Sequence, residues 1–476
     1  MNTYILKYLI CGVSTRRERP ALLGVLLFSM MILVLAGCVA SSSEPPAGPA
    51  TTESPTSARA IVVAESATPL PVESTGEPEA TATAEPTATT EPTATLAGGV
   101  VSTPESMASL KPDPDVTRPP LSAIEQPAYA ASDCSDKYPC NDDIEAWEAR
   151  IQVPEGFDVK YFTRIDGNPN VITFGPDGLL YAATMTGEVY RIDQNGEIDL
   201  YVDGFLAPTG LAFQPGTDRL FITSRVEDLN EGGEAEIAVI EDGEITRLFG
   251  RLPCCYVSMH SANGIAFGPD GYGYVSVGGR ADHGEILSGP NAGLQDVLQP
   301  LEASILRFSP DGWEIAPYAR GFRNAYDIAW DADGQLYTTD NAPDFGPPEE
   351  FHKVVPGGQH GYPWYDCDAC FSAPPDVTVE PPTHTFVPHA SPTGITSYLA
   401  DQFPGYFNSL FVTLWSAFPG AQKIVWFSPG AEETADFATG FAAPIDLTVG
   451  PDGSLFVVDW ATGIIFQISY TGGVAE

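Results

Sequence analysis

A short unit recurs six times in this chain, and that recurrence limits the fold more than any other feature. Its clearest copy is HSANGIAFGPDGYGYVSVG at 260–278, read as a strand over 264–267, a tight turn at 268–271 and a second strand over 272–277. Proline at the second turn position presets φ, and glycine at the last position tolerates a positive φ. Apolar and β-prone residues flank the turn on both sides. The same unit stands at NVITFGPDGLLYAAT (170–184), TGLAFQPGTDRLFIT (209–223), YDIAWDADGQLYTTD (326–340) and IDLTVGPDGSLFVVD (445–459), with a looser copy at 393–414. Its anchors Phe174, Phe213, Phe267, Trp330, Tyr398 and Val449 are 39, 54, 63, 68 and 51 residues apart. A further strand follows most copies, at 188–192, 236–240, 304–308, 423–427 and 464–468. Each unit is too small to bury its own sheet, so neighbours must pack face to face. The expected fold is all-β, a six-bladed β-propeller of four-stranded antiparallel blades. The alternative is a β-sandwich whose hairpins resemble one another by accident. The terminal ISYTG strand is expected to pair with GFDVKYFTRI (156–165) and so close the ring.

Three regions precede or form this array. Residues 1–37 read as an export signal: Arg16, Arg17 and Arg19 stand before an apolar run from Ala21 to Leu35. The run ends Leu35-Ala36-Gly37-Cys38, which resembles the lipobox of bacterial lipoproteins, with Cys38 as the lipidated residue. An uncleaved single-span anchor is the other reading, and both place the remainder outside the cytoplasm on a membrane. Residues 38–130 are a Thr/Pro/Ala/Glu-rich linker with few aromatics, too polar to offset the entropy of ordering. At roughly 3 Å per residue its extended limit is on the order of 250 Å. The folded domain is expected over 131–473.

Charge and cysteine content narrow the partners. The chain has 22 basic and 63 acidic residues. Residues 1–37 hold 4 basic and 1 acidic, leaving 18 against 62 and a net charge of −44. That balance disfavours nucleic acid and anionic lipid surfaces as partners. Beyond Cys11 and Cys38 six cysteines remain, and an even number in an exported chain points to disulfides. The local pairs expected are Cys134–Cys140 and Cys367–Cys370; Cys254 and Cys255 either form a vicinal bridge or stay free. Zinc is a rival for Cys367 and Cys370, but no second CxxC or nearby HxxxH completes such a site.

Four stretches together resemble the glucose/sorbosone dehydrogenase family, and the sorbosone-dehydrogenase-like branch in particular. They are 260–278, 304–344 with its GFRN and DNAPD, EEFHKVVPGGQHGYPW (349–364) and PHASPTGITSY (388–398). They come in the family's order and cover essentially all of 150–473. The resemblance implies an oxidoreductase in which a sugar or alcohol gives hydride to pyrroloquinoline quinone (PQQ), with calcium, and electrons pass to an external acceptor. It places His260 as the general base, and Arg323 and Asn324 beside the quinone. It places Ala342 and Pro343 where backbone carbonyls hold calcium, and Glu350 near a second, loop-ordering calcium. His389 is expected either to reach the channel mouth or to brace a turn. His283, His352, His360 and His384 lack metal-ligand spacing and are expected at the surface or in loops.

The chain also departs from that family. Trp415 falls where the glucose dehydrogenases carry a lysine, and Ala443-Pro444-Ile445 where they carry an Arg-x-Arg pair. Met259 precedes the histidine in place of an acidic or polar residue. Two further readings follow: a non-catalytic propeller binding a glycan or envelope protein, and a calcium-dependent lactonase-type hydrolase. The latter requires an acid-rich metal cluster at the channel centre.

Overall fold

The computed structural model describes residues 134–226, 231–256, 260–344, 347–365 and 370–472. Cys38, Met259 and Cys367 lie outside the described residues, as do the export signal and the linker. No helix among the described residues is long and apolar enough to cross a membrane.

Six four-stranded antiparallel sheets follow one another, as the repeat requires. In each, the innermost two strands are the recurring hairpin: Pro169–Phe174 with Leu180–Thr184 in blade one, and Leu206–Phe213 with Leu220–Arg225 in blade two. Blade three opens with Ala262–Phe267 and Gly273–Val277, and blade four with Ala325–Trp330 and Leu336–Asp340. Pro392–Tyr398 with Ser409–Leu414 and Pro444–Val449 with Leu455–Asp459 begin blades five and six. The outermost strand of blade six is Phe157–Arg164, which pairs antiparallel with the C-terminal strand Ile464–Tyr470. The ring is therefore closed by joining the two ends of the domain. A short helix, Ile144–Arg150, capped by Asp143, buries Trp147 against Tyr138 and Phe466 beside this seam.

The repeat has a packing reason. At four blade junctions an aromatic anchor of one innermost strand meets an aromatic of the neighbouring second strand edge to face. The pairs are Phe174–Phe456, Tyr181–Phe213, Phe221–Phe267 and Tyr274–Trp330, with centroids 5.0, 4.9, 5.0 and 4.9 Å apart. Two of these pairs lie over the first glycine of a GPDG turn. A Cβ at Gly268 would stand 2.7 Å from the Tyr274 ring and 3.0 Å from Trp330, so only glycine fits.

Polar side chains finish each junction. Asn170 donates to Pro208 O, Thr209 to Ala262 O, Asn263 to Ala325 O, Thr339 to Thr393 O and Thr413 to Ile445 O. At the last junction Asp446 accepts from Ile172 N. Tyr326 of blade four crosses the axis itself and donates to Asn170 Oδ1 of the opposite blade, at 2.9 Å. It is buried in an apolar cluster with Ile172 and Ile445. The axis is thus filled by a side chain just beneath one end of the innermost strands.

Candidate active site

That end of the ring collects the start of each first strand and the end of each second strand. His260 stands two residues before blade three begins. Arg323 and Asn324 lie just before blade four, Asp340 ends its second strand, and His389 precedes blade five. Motifs far apart in sequence therefore meet because the hairpin repeats, each copy delivering its loop residues to one face.

His260 is buried, with Tyr256 packed beside it at 5.2 Å between rings and paired to it through the backbone. Its Nδ1 lies 3.2 Å from Gly279 O. A carbonyl only accepts, so Nδ1 carries the proton and Nε2 keeps a free lone pair. Burial, and then the Arg323 charge, hold this imidazole well below its ordinary pKa of 6.5. The ring is consequently neutral at neutral pH and oriented as a base. Gly278 lies under it, where a Cβ would come 3.2 Å from the His260 Cα and Cβ atoms.

Arg323 is also buried, and more firmly tied than its motif implies. Nε and Nη2 donate to Asp282 Oδ1 at 3.1 and 2.7 Å, Nε also to Asp282 O, and Nη1 to Asn341 O at 2.9 Å. Burial opposes its charge, but Asp282 and Asp344 outweigh that and keep it protonated. In return the guanidinium holds Asp282 well below the carboxylate range, against the upward push of burial. Asn324 Oδ1 accepts from Asn263, and the backbone N–H groups of Arg323 and Asn324 both donate to Asp340. The GFRN stretch is thus fixed by a carboxylate from the adjoining strand.

Ala342 and Pro343 are buried beside this arginine. Ala342 N donates to Glu349 Oε2 at 2.8 Å. Glu350 lies with Asp340 and His352, one ligand atom of each within 4.8 Å of the others. Burial pushes both Glu349 and Glu350 up to about 8, and burial with the nearby Glu350 charge raises Asp340 well above its usual range. Trp415 packs edge-on to Trp460. Ala442 N and Ala443 N donate to Asp459, as Arg323 N and Asn324 N donate to Asp340. Blade six therefore repeats the blade-four device with alanines in place of arginine and asparagine. Lys423 is engaged with Asp436 on the outer strands of blade five and offers the site no charge.

The expectation of surface or loop histidines is corrected in part: none lies at the surface, and His352 and His384 stand on strands, while His283 and His360 do lie in loops. His283, His352, His360 and His384 are all buried. His360 stacks on Phe322, His384 packs on Phe427, and His352 sits on the third strand of blade four. His389, at φ 64°, stacks on Phe418, with Nδ1 4.0 Å from Asp344. Cys134–Cys140 is disulfide-bonded, and Cys254–Cys255 forms the vicinal bridge, directly before Tyr256. The pairing of Cys370 with Cys367 falls outside the described residues. Sequence reasoning did not single out Asp282, Asp340, Asp344 or Glu349; the last three lie within the DNAPD and EEFHK stretches, but the contacts of Asp340 to Arg323 and Asn324 and of Glu349 to Ala342 are made only in the fold.

A search of curated proteins finds no match. Among solved structures the fold resembles a putative oxidoreductase (glucose dehydrogenase) from Thermus thermophilus, with 20% identity and a TM-score of 0.52 over 66% of this chain and 99% of that one. It also resembles the PQQ-bound form of an aldose sugar dehydrogenase from Streptomyces coelicolor, at 17% identity and TM-score 0.51 over 67% and 99%. The apo form of the soluble aldose sugar dehydrogenase from Escherichia coli gives 16% and 0.50 over 66% and 99%. These likenesses establish the propeller. The glucose/sorbosone dehydrogenase profile matches residues 167–466, more than half of the sequence. The chain belongs to the glucose/sorbosone dehydrogenase family of oxidoreductases.

Proposed function

We propose that this protein oxidises a sugar or related alcohol at the His260 face, using PQQ and calcium, and passes the electrons to an external acceptor. The observation that carries the reading is the tautomer of His260: Gly279 O fixes the proton on Nδ1 and leaves Nε2 as a buried base beside a fixed guanidinium.

The residues present fit a cation readily. Asp340, Glu349 and Glu350 are buried carboxylates, and buried acids that no cation pairs with either stay protonated or meet a metal. Their oxygens, with the main-chain carbonyls of Ala342 and Pro343, are the donors calcium takes. The quinone's carboxylates find less: Arg323, already paired with Asp282, and alanines at the matching place in blade six. The fit is therefore to a quinone held chiefly through its calcium. When bound, PQQ supplies a carbonyl carbon that accepts two electrons as hydride. His260 Nε2 takes the hydroxyl proton as the C–H bond breaks. Arg323 keeps two N–H bonds beyond those to Asp282 and Asn341, and these stabilise negative charge developing on an oxygen nearby. Asp282 orients that guanidinium, Asp340 orients its backbone, and Tyr256 holds the imidazole from the side.

In the same reading Cys38 is lipidated after cleavage of residues 1–37, and residues 38–130 form the tether of an extracytoplasmic, membrane-anchored enzyme whose folded domain spans 131–473. The test is reconstitution of the purified protein with PQQ and calcium, followed by dye reduction across sugars and alcohols. Calcium-dependent activity is expected. Calorimetry that finds no PQQ binding with calcium present removes the cofactor from the proposal.

A further inference from the structure

The cluster of Asp340, Glu350 and His352 has the composition of a transition-metal site, yet its hydrogen bonds run the wrong way for one. Val355 N–H donates to His360 Nε2 at 3.2 Å. That nitrogen must carry a lone pair, so the His360 proton sits on Nδ1. His360 Nδ1 lies 3.3 Å from His352 Nδ1, which must then accept. The His352 proton is left on Nε2, where it points at Glu350 Oε2, 3.1 Å away. A single backbone N–H thus sets the polarity of two buried imidazoles. Offering Nε2 to a metal would put the His352 proton on Nδ1, facing His360. His360 would then have to carry its own proton on Nε2, against the Val355 N–H. Two buried donors would meet head-on, each losing its acceptor.

We infer that His352 and His360 form a tautomer lock which makes the Asp340–Glu350 cluster accept a hard, oxygen-seeking cation such as calcium and refuse zinc. Zinc favours a ligand nitrogen at such a site and is denied one. Calcium needs only oxygens. Asp340 and Glu350 supply carboxylates, and a further oxygen stands ready: the Tyr365 hydroxyl is buried and has no hydrogen-bond partner among the described residues. Burial, and then the Asp340 and Glu350 charges, suppress its acidity, so it stays a neutral phenol. The inference deepens the calcium-dependent reading given above. It makes His352 a positioning residue, which holds Glu350 Oε2 and leaves the other carboxylate oxygen to the ion.

Terbium, a luminescent stand-in for calcium, tests this on the full-length protein without quinone or substrate. Sensitised emission should appear on titration, be lost on adding calcium, and survive an equal concentration of zinc. His352→Phe should weaken terbium binding without abolishing it, because Glu350 loses the group that holds Oε2, and Glu350→Gln should lose it. Long-range proton–nitrogen NMR of histidine-labelled wild-type protein gives a readout that needs no variant. His352 should be protonated at Nε2 and His360 at Nδ1, before and after calcium. Zinc displacing terbium in a manner abolished by His352→Phe overturns the inference, as does an Nδ1-protonated His352 or an absence of terbium binding. Terbium and calcium binding without any PQQ-dependent dye reduction would instead sink the enzymatic reading and leave the lock standing.

Discussion

His260 shows how little of a residue's role is carried by its identity. In the proposed reaction it would act as a base because a carbonyl holds the proton on one ring nitrogen, while burial and then the Arg323 charge keep the other unprotonated. His260→Ala should leave quinone binding largely intact and lower kcat by about 10²–10⁴-fold, the usual worth of a general base; stopped-flow dye reduction with a parallel binding isotherm checks both halves. The pH profile follows from the depressed pKa. The neutral ring is the active form, so activity persists as pH falls past 6.5 and is lost only through the lower folded value. The acid limb of kcat/KM should therefore lie below pH 6.5. Arg323 is the second cause of that depression, so Arg323→Ala should move the surviving limb upward as well as weaken quinone binding. A limb that stays in place in this variant would mean that burial alone sets the base. These residues were legible because their motifs are local. Asp282 was not: it meets Arg323 from 41 positions away, and no spacing rule connects an acid in one loop to an arginine in another.

The inner hairpins were readable because a turn with fixed chemistry separates two apolar strands. Apart from Phe157–Arg164, the outermost strands were not. Ile198–Val202 is exposed at three of its five positions, and Ala435–Thr439 begins with two exposed residues. Ile198–Val202 is mostly apolar yet largely exposed, so pairing to the strand inside, and not a buried face, defines such strands. The same logic hid His352, which looks like a loop histidine in EEFHK until the third strand of blade four buries it. Two predictions belong to elements. Gly268→Ala should drive a methyl into the Tyr274–Trp330 contact and cost about 1–3 kcal/mol, visible as a lower urea midpoint at unchanged slope. Replacing Ala442 by arginine should restore to blade six the cation that blade four has. Calorimetry should then show tighter PQQ binding by on the order of 1–3 kcal/mol, the worth of a charge-assisted hydrogen bond. Unchanged affinity would show that the blade-six loop does not reach the quinone.

At the scale of the whole molecule, the ends of the domain hold the ring shut. The strand that closes it begins only at Phe157, just after a disulfide-closed loop and a helix that pack over the seam. On the proposed reading of Cys38 as the lipidated residue, Cys38→Ala should release the protein from membranes with its thermal unfolding unaltered; unchanged membrane fractionation would remove the lipid anchor. Tyr326→Phe should have the opposite character. It leaves Asn170 Oδ1 buried without its cross-axis donor and costs about 1–3 kcal/mol, read as a lower melting temperature. That tyrosine has a kinetic meaning too. Tyr326 and its apolar cluster block the route along the axis beneath the site. In the proposed reaction, sugar, oxidised product and electron acceptor would then share one doorway, and the product would have to clear it before the acceptor could collect its electrons. Turnover should follow a double-displacement pattern, with parallel lines in reciprocal plots and inhibition at high sugar as a second molecule occupies the entrance that the acceptor needs.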